Sequence, residues 1–221
     1  YEEYFNTLEN DFQSGSYRFN LLRNNCSRAL NRIFYREGWF KPGLLDFLPA
    51  ITYKRLVSSW KRRGEEYSRP KNFALEIAKK LIGFIPVIYS SEVLTTAGYR
   101  FKCQLNENSK VHAFQHIIPE MNHNEIIGWE TQKEKQFNAK IIFLFDNDYH
   151  PQNKKRYFVF SELAASKGIE VINLISSEKK SRVRIMDLIF LCDWISFYLA
   201  VLRGFDPSEI DFIYEMKKRL A

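Results

Sequence analysis

Cysteine is scarce in this sequence, and the three cysteines form no recognisable pattern. Cys26, Cys103 and Cys192 are far apart, are odd in number and include no C-x-x-C spacing. A disulfide framework needs paired cysteines, and a structural zinc site needs closely spaced ones. The spacing therefore argues against both and favours a reducing compartment, which we expect to be the cytoplasm.

Several other features are missing. No uninterrupted apolar run reaches the roughly 18 residues of a membrane span, and no cleavable signal is visible. We therefore expect no membrane association. The net charge is +7, but the sequence shows no basic stripe interleaved with aromatic residues. We interpret that charge as solvated Lys and Arg and expect no nucleic-acid partner.

The composition that remains is typical of a globular protein. Of the 221 residues, 45% are apolar and 27% are charged. Phe and Tyr are abundant, at 19 and 12. This composition predicts an adequate core that is rich in aromatic rings.

Residues 1–70 predict a small helical segment. One helix is expected over 26–36 and another over about 51–63. The charged run 61–70 ends in Pro70 and reads as a linker. The sequence therefore predicts two units, 1–70 and 71–221.

From residue 71 onward, helical patterns alternate with short apolar runs. The apolar runs predict strands over 85–89, 140–145 and 169–175, with a strand or an extended loop over 111–118. The helical patterns fall at 73–81, 92–105, 151–167 and 182–202, and a last helix is expected to open at Asp206-Pro207-Ser208. This alternation predicts an α/β fold with a doubly wound parallel sheet, whose site lies beyond the carboxyl ends of the strands.

The stretch 99–129 concentrates polar side chains suited to chemistry. It holds three carboxylates, three histidines and several Asn residues, with the run Pro119-Glu120-Met121-Asn122-His123-Asn124-Glu125 near its end. Glu125 is the carboxylate most suited to acid–base work. The histidines at 112, 116 and 123 are irregularly spaced, which favours a polar rim over a metal site.

Residues 72–221 resemble the second sugar isomerase (SIS) domain of the bifunctional phosphoglucose/phosphomannose isomerases. The resemblance is carried by short motifs in the same order: Ile85-Pro86-Val87-Ile88-Tyr89-Ser90, Tyr99-Arg100-Phe101-Lys102, Gln104-Leu105-Asn106-Glu107-Asn108-Ser109, the run ending at Glu125, His150-Pro151 and Leu202-Arg203-Gly204-Phe205-Asp206-Pro207. It implies a SIS-type, flavodoxin-like fold and isomerisation of glucose or mannose 6-phosphate to fructose 6-phosphate, without metal or other cofactor.

The same resemblance implies roles for individual residues. Glu125 would be the base that moves the proton, His150 would open the sugar ring, and Lys217 would face the oxyanion or the phosphate. Ser208 would donate a hydrogen bond to substrate, with Arg100 and His123 as further substrate-binding candidates. Because His150 can come from the neighbouring subunit in such enzymes, a homodimer is implied.

Simpler interpretations of these residues stay open at this point. Glu125 could cap a helix, His150 could be a surface turn residue, and Lys217 suits a helix carboxyl end. Arg100 could form a salt bridge with a neighbour.

Residues 1–70 contain no Ser/Thr/Gly-rich phosphate loop of the kind that the first SIS domain carries. Instead, Arg23-Asn24-Asn25-Cys26-Ser27 and Leu48-Pro49-Ala50-Ile51 are similar to the tail of Lnb-type periplasmic domains, relatives of permuted papain-like amidases. That resemblance would make Cys26 a nucleophile. No histidine precedes His112, so we expect Cys26 to be buried and inert.

Three functions follow, in order of preference. The first is hexose-phosphate isomerisation, and the second is a non-catalytic SIS module that binds sugar phosphates. The third is a thiol hydrolase centred on Cys26.

Overall fold

The computed structural model describes residues 68–131 and 138–220. Within these ranges the helices are α1 (Ser68–Leu81), α2 (Thr95–Glu107), α3 (Glu125–Glu130), α4 (Pro151–Ser166), α5 (Ser181–Leu202) and α6 (Asp211–Leu220). The strands are β1 (Ile85–Ser90), β2 (Phe114–Ile117), β3 (Ala139–Phe145) and β4 (Val171–Ile175). Short 3-10 helices cover Glu92–Leu94 and Glu120–His123.

The four strands form one parallel sheet in the order β2-β1-β3-β4. The central strands β1 and β3 are apolar and almost wholly buried, as expected for strands covered on both faces. The predicted strands at 85–89, 140–145 and 169–175 are therefore confirmed as neighbours in one parallel sheet. The ambiguous stretch 111–118 contains the short edge strand β2.

Helices cover both faces of the sheet. Gly98 of α2 lies against Ser90 of β1, whereas the ring of Tyr89, the preceding residue, meets Phe160 of α4 at a centroid distance of 5.8 Å. Successive strand side chains point to opposite faces, so α2 and α4 lie on opposite sides. Helix α5 packs against α1 and α2.

The predicted aromatic core is confirmed on the α4 face. Phe143 of β3 contacts Tyr157 edge to face at 4.7 Å and Phe160 at 5.8 Å. Tyr89 is the register partner of Phe143 and joins the same group of rings. Burying each such side chain contributes roughly 1.5–3 kcal/mol. The cluster therefore holds α4 against the two central strands.

Helix α5 is long and apolar enough, by length and composition, to cross a membrane. Counting only uninterrupted apolar runs missed it, because Asp187 and Asp193 interrupt the pattern. In the structure 67% of its apolar window is buried within the domain. Because α5 packs against α1 and α2, we interpret it as an apolar core helix of the domain.

The last helix begins later than predicted. Helix α6 starts at Asp211, not at Asp206-Pro207-Ser208. Asp206 Oδ1 instead accepts hydrogen bonds from the Ser208 backbone N–H at 2.7 Å and from its hydroxyl at 2.6 Å. This local side-chain bonding stabilises a turn in place of the first helical turn.

Candidate active site

The carboxyl ends of β1 and β3 form the topological switch point of the sheet. After β1 the chain crosses to β2 on one side, and after β2 it returns to β3 on the other. In open α/β sheets ligands bind in the crevice at such a point. Tyr149 spans it, because its hydroxyl donates to the Leu144 carbonyl at 3.1 Å and accepts from the Ser91 N–H at 3.1 Å.

Glu125 lies at this edge as the first residue of α3. Its backbone N–H donates to Asn124 Oδ1 at 2.6 Å, so Asn124 makes the polar contact at the start of the helix and the Glu125 carboxylate does not. Oε2 of that carboxylate accepts a hydrogen bond from the Tyr89 hydroxyl at 2.7 Å. The Glu125 side chain is 34% exposed, so the carboxylate is both anchored and accessible.

The sequence pattern did not point to Tyr89 or Trp129, which bond at Glu125, and it gave His116 only as part of a polar rim. Tyr89 and His116 are register partners on β1 and β2, and His116 Nδ1 lies 2.8 Å from Glu125 Oε1. That pair is close, but the direction of Nδ1 does not make a well-aligned hydrogen bond. Trp129 Nε1 donates to the Tyr89 oxygen at 2.7 Å. A tyrosine at the carboxyl end of a buried strand was the available signal.

His150 lies on the other side of the switch point, as the N-cap of α4. Its Nδ1 accepts a hydrogen bond from the Gln152 backbone N–H at 3.2 Å. The backbone N–H of His150 donates to Glu92 Oε1 at 3.0 Å. The imidazole is exposed. Within the described residues, 68–131 and 138–220, no hydrogen bond or ion pair joins His150 to Glu125. Both residues nevertheless bond near the end of β1: Glu125 to Tyr89 of that strand, and His150 to Glu92, two residues after it.

Arg100 is committed to the interior. It is 4% exposed, and its Nη2 pairs with Asp193 Oδ2 of α5 at 2.9 Å. Gln104 Nε2 donates to the other oxygen of the same carboxylate at 3.0 Å. These contacts join α2 to α5, as the salt-bridge interpretation expects, and contact of Arg100 with a substrate stays a prediction.

Ser208 and the start of α6 lie near the amino-terminal ends of the strands, whereas Glu125 lies near their carboxyl-terminal ends. Lys110, in the loop before β2, donates to the Asp206 carbonyl at 2.7 Å. Asp206 in turn holds Ser208. A cavity of about 430 Å³ lies at this amino edge, lined by residues such as Lys110 and Phe212.

Lys217 is exposed on α6, and its ammonium lies 6.0 Å from the Tyr214 ring centroid. In the part of the chain that the structure describes, no ion pair brings it to Glu125. His123 is exposed, two residues before Glu125. Cys26 lies outside the described residues.

The parallel sheet in the order β2-β1-β3-β4, with a polar group of side chains at its switch point, defines a doubly wound, flavodoxin-like α/β domain. Residues 70–220 match the family described as the bacterial phospho-glucose isomerase C-terminal SIS domain. The chain belongs to this family.

Named relatives agree with this assignment. The chain is 35% identical over 186 residues to the bifunctional phosphoglucose/phosphomannose isomerase of Aquifex aeolicus, covering 84% of this chain and 58% of that one. It is 35% identical over 192 residues to the enzyme of the same name from Caldicellulosiruptor bescii, covering 86% and 56%. The chain therefore spans little more than half the length of these relatives. Both alignments are longer than the range 70–220, so they extend before residue 70.

A solved structure shares the fold. The glucose-6-phosphate isomerase like protein from Thermus thermophilus superposes with a TM-score of 0.51 at 17% identity, covering 62% of this chain and 45% of that one. At this identity the likeness concerns the fold alone.

Proposed function

We propose that the protein interconverts aldose and ketose hexose phosphates, glucose 6-phosphate or mannose 6-phosphate and fructose 6-phosphate, with Glu125 as the base. The observation that carries this proposal is the position of Glu125. An anchored but accessible carboxylate lies at the switch-point edge of a domain of the isomerase family. The names of its relatives supply the substrate class.

The reaction needs one group that accepts a proton from carbon and returns it to the adjacent carbon. When the C2–H bond breaks, the proton moves to the Glu125 carboxylate, and the electron pair forms the C1=C2 bond of an enediolate. Glu125 then returns the proton to C1 while the carbonyl forms at C2, and the hydroxyl proton moves from O2 to O1. A carboxylate at hydrogen-bonding distance suits both transfers.

His150 is suited to opening the sugar ring. Its Nδ1 accepts from a backbone N–H, so the proton of the neutral imidazole resides on Nε2. An exposed Nε2–H can donate to the ring oxygen as the bond to C1 opens. We propose that this group acts in a homodimer, in which His150 of one chain can serve the site of the other.

Lys217 and Ser208 stay predictions in this scheme. They belong to the segment that leaves the amino edge of the sheet, whereas Glu125 lies at the carboxyl edge. A contribution to the Glu125 site would therefore come through the assembled protein. We also propose a cytoplasmic location, in keeping with the odd number and wide spacing of the three cysteines in the sequence and with the metabolic reactions that the relatives are named for.

The test is loss of deuterium from C2-labelled hexose phosphate to water. Glu125→Gln keeps the shape of the side chain but removes the base, so exchange should fall by about 10²–10⁴-fold with little change in KM. The matched control is Glu130→Gln, which changes an exposed carboxylate at the other end of α3 and should exchange at the native rate.

Equal exchange in the native protein and in Glu125→Gln would show that Glu125 is not the base. If the native protein gains thermal stability with fructose 6-phosphate but exchanges no label, it is a sugar-phosphate-binding module instead.

A further inference from the structure

Three side chains form a directed chain of hydrogen bonds that ends on the Glu125 carboxylate. Trp129 Nε1 donates to the Tyr89 oxygen at 2.7 Å, and the Tyr89 hydroxyl donates to Glu125 Oε2 at 2.7 Å. The first two residues of the chain are buried, with Trp129 7% exposed and Tyr89 fully buried, whereas the Glu125 side chain is 34% exposed. The chain therefore runs from the core to the rim of the proposed site.

The direction of these bonds follows from the chemistry of the donors. An indole N–H can only donate, so Trp129 occupies an acceptor position on the Tyr89 oxygen. The single phenolic proton is then left for Glu125. Burial, followed by the hydrogen bond to Glu125, raises the pKa of Tyr89 well above its usual range, so the phenol keeps its proton.

The Tyr89 ring is itself held in place. It packs edge to face against Phe143 at 6.1 Å and against Phe160 at 5.8 Å. These contacts come from β3 and α4, on which the domain core is built. The hydroxyl therefore has little freedom to follow a moving carboxylate, and the carboxylate must stay where the hydroxyl is.

Other titratable groups lie on the elements next to this carboxylate. His116 of β2 lies beside Oε1, and His123 and Glu120 belong to the 3-10 helix that precedes α3. Both histidines and Glu120 are solvent-accessible to some degree, whereas Tyr89 is not. The only hydrogen bond to the carboxylate that originates in the core, among the residues described, is the one from Tyr89.

We propose that Tyr89, oriented by Trp129, is the positioning residue of the Glu125 base. It holds Oε2, so that Oε1, beside which His116 lies, is the oxygen that exchanges the proton with substrate. This inference rests on the proposed function for its catalytic consequence. The hydrogen-bond relationship itself stands on the geometry and can be tested without turnover.

The first variant is Tyr89→Phe, which removes the hydroxyl and keeps the ring. The turnover number for C2 label exchange should fall about 10- to 100-fold, as expected for losing one hydrogen bond to a charged group. KM should change little, because Tyr89 is buried behind Glu125. Since a donated hydrogen bond favours the ionised carboxylate, its loss should move the acidic limb of the pH profile to higher pH.

Tyr157→Phe is the matched control. Tyr157 is equally buried in the same aromatic cluster, but its hydroxyl bonds to the Leu144 carbonyl at 3.3 Å and not to Glu125. This variant shares the cost of losing a buried phenol. It should leave the acidic limb unchanged.

A second readout does not need activity. The side-chain carboxyl ¹³C signal of Glu125, assigned by its absence in Glu125→Gln, should titrate with a midpoint at higher pH in Tyr89→Phe than in the native protein. Trp129→Phe should shift it in the same direction by less. This variant also serves if Tyr89→Phe does not fold.

Native values of the midpoint and of the turnover number in Tyr89→Phe would overturn the proposal. So would equal shifts in Tyr89→Phe and Tyr157→Phe. If the native protein exchanges no label but the midpoint moves as expected, the proposed function fails while the positioning of Glu125 by Tyr89 stands.

Discussion

Arg184 on α5 holds both carboxylate oxygens of Asp146, the residue that follows β3, at 3.0 Å each. The Asp146 side chain is fully buried and the Arg184 side chain is 7% exposed. Arg184 also contacts Asp148 and donates to the Lys179 carbonyl at 2.8 Å. One guanidinium thereby joins the carboxyl end of β3 to the loop that precedes α5.

Asp146→Asn should strongly destabilise the domain. The change keeps the shape of the side chain but removes the buried carboxylate, and leaves the buried Arg184 guanidinium paired with the exposed carboxylate of Asp148. Breaking a buried pair in this way costs about 3–5 kcal/mol. Urea unfolding followed by tryptophan fluorescence measures the free energy of unfolding.

The control for that measurement is Glu215→Gln, which breaks the exposed pair between Glu215 and Arg219 in α6. Exposed pairs contribute about 0–1 kcal/mol. If the two variants lose the same free energy, the Asp146–Arg184 pair does not hold this edge of the sheet.

Gly98→Ala should destabilise the contact between α2 and β1. A Cβ at residue 98 would lie 2.6 Å from Ser90 Oγ and 3.1 Å from Ser90 Cβ, and Ser90 is fully buried. Overpacking of this kind costs about 1–3 kcal/mol. Thermal unfolding of the single variants and the double variant measures it.

The double variant Ser90→Ala, Gly98→Ala provides the control, because it removes the Oγ that makes the closest approach. Gly98→Ala should lower the thermal stability less in the Ser90→Ala variant than in the native protein. Strict additivity of the two effects would mean that Ser90 is not what excludes a side chain at residue 98.

His150→Asn separates the two roles open to His150. Asn is a good N-cap, so it should replace the acceptor that Nδ1 offers to Gln152 and keep the stability of the native protein. It offers no imidazole to the sugar ring. Turnover with closed-ring hexose phosphate should fall by about 10²-fold or more, as for a lost general acid.

His150→Ala is the comparison, because it loses both roles. It should be less stable by about 1 kcal/mol and equally slow. Native turnover in His150→Asn would reduce His150 to a helix cap.

Alkaline pH should weaken the fold through its buried phenols. Burial raises the pKa of Tyr89, Tyr149 and Tyr157 above the usual value of about 10. Above that pH the unfolded chain loses these protons and the folded chain keeps them. The free energy of unfolding should therefore be unaffected below about pH 10 and should fall above it, by up to about 1.4 kcal/mol per pH unit for each phenol.

Tyr157→Phe should reduce this slope, whatever it does to the absolute stability. The comparison variant is Tyr214→Phe, at a tyrosine that is 59% exposed. Urea unfolding at pH 9, 10 and 11 provides the comparison. An unchanged slope in Tyr157→Phe would contradict the claim that the buried Tyr157 phenol contributes to the loss of stability at alkaline pH.

Local pattern predicted the fold of the described residues well. The apolar runs at 85–89 and 140–145 are long enough to be buried on both faces, and that burial makes them the central strands. The start of α6 was missed, because the side chain of Asp206 bonds to Ser208 two residues later and favours a turn. The division of the chain at residue 70 stays a prediction. Helix α1 begins within the predicted linker, at Ser68.

The sequence by itself determined the parallel sheet and the family of the chain, and it gave Glu125 as the candidate base, because buried strands and short motifs are recorded in consecutive residues. Only the tertiary structure decided what surrounds that carboxylate. Tyr89 is 36 residues from Glu125 along the chain, and parallel pairing of β1 with β2 places His116 beside it. Likewise, the family resemblance made Arg100 a substrate-binding candidate, and only the packing of α2 on α5 shows that it pairs with Asp193, 93 residues away. Such partners are set by the crossover connections of the sheet, which bring distant segments together and leave no local pattern.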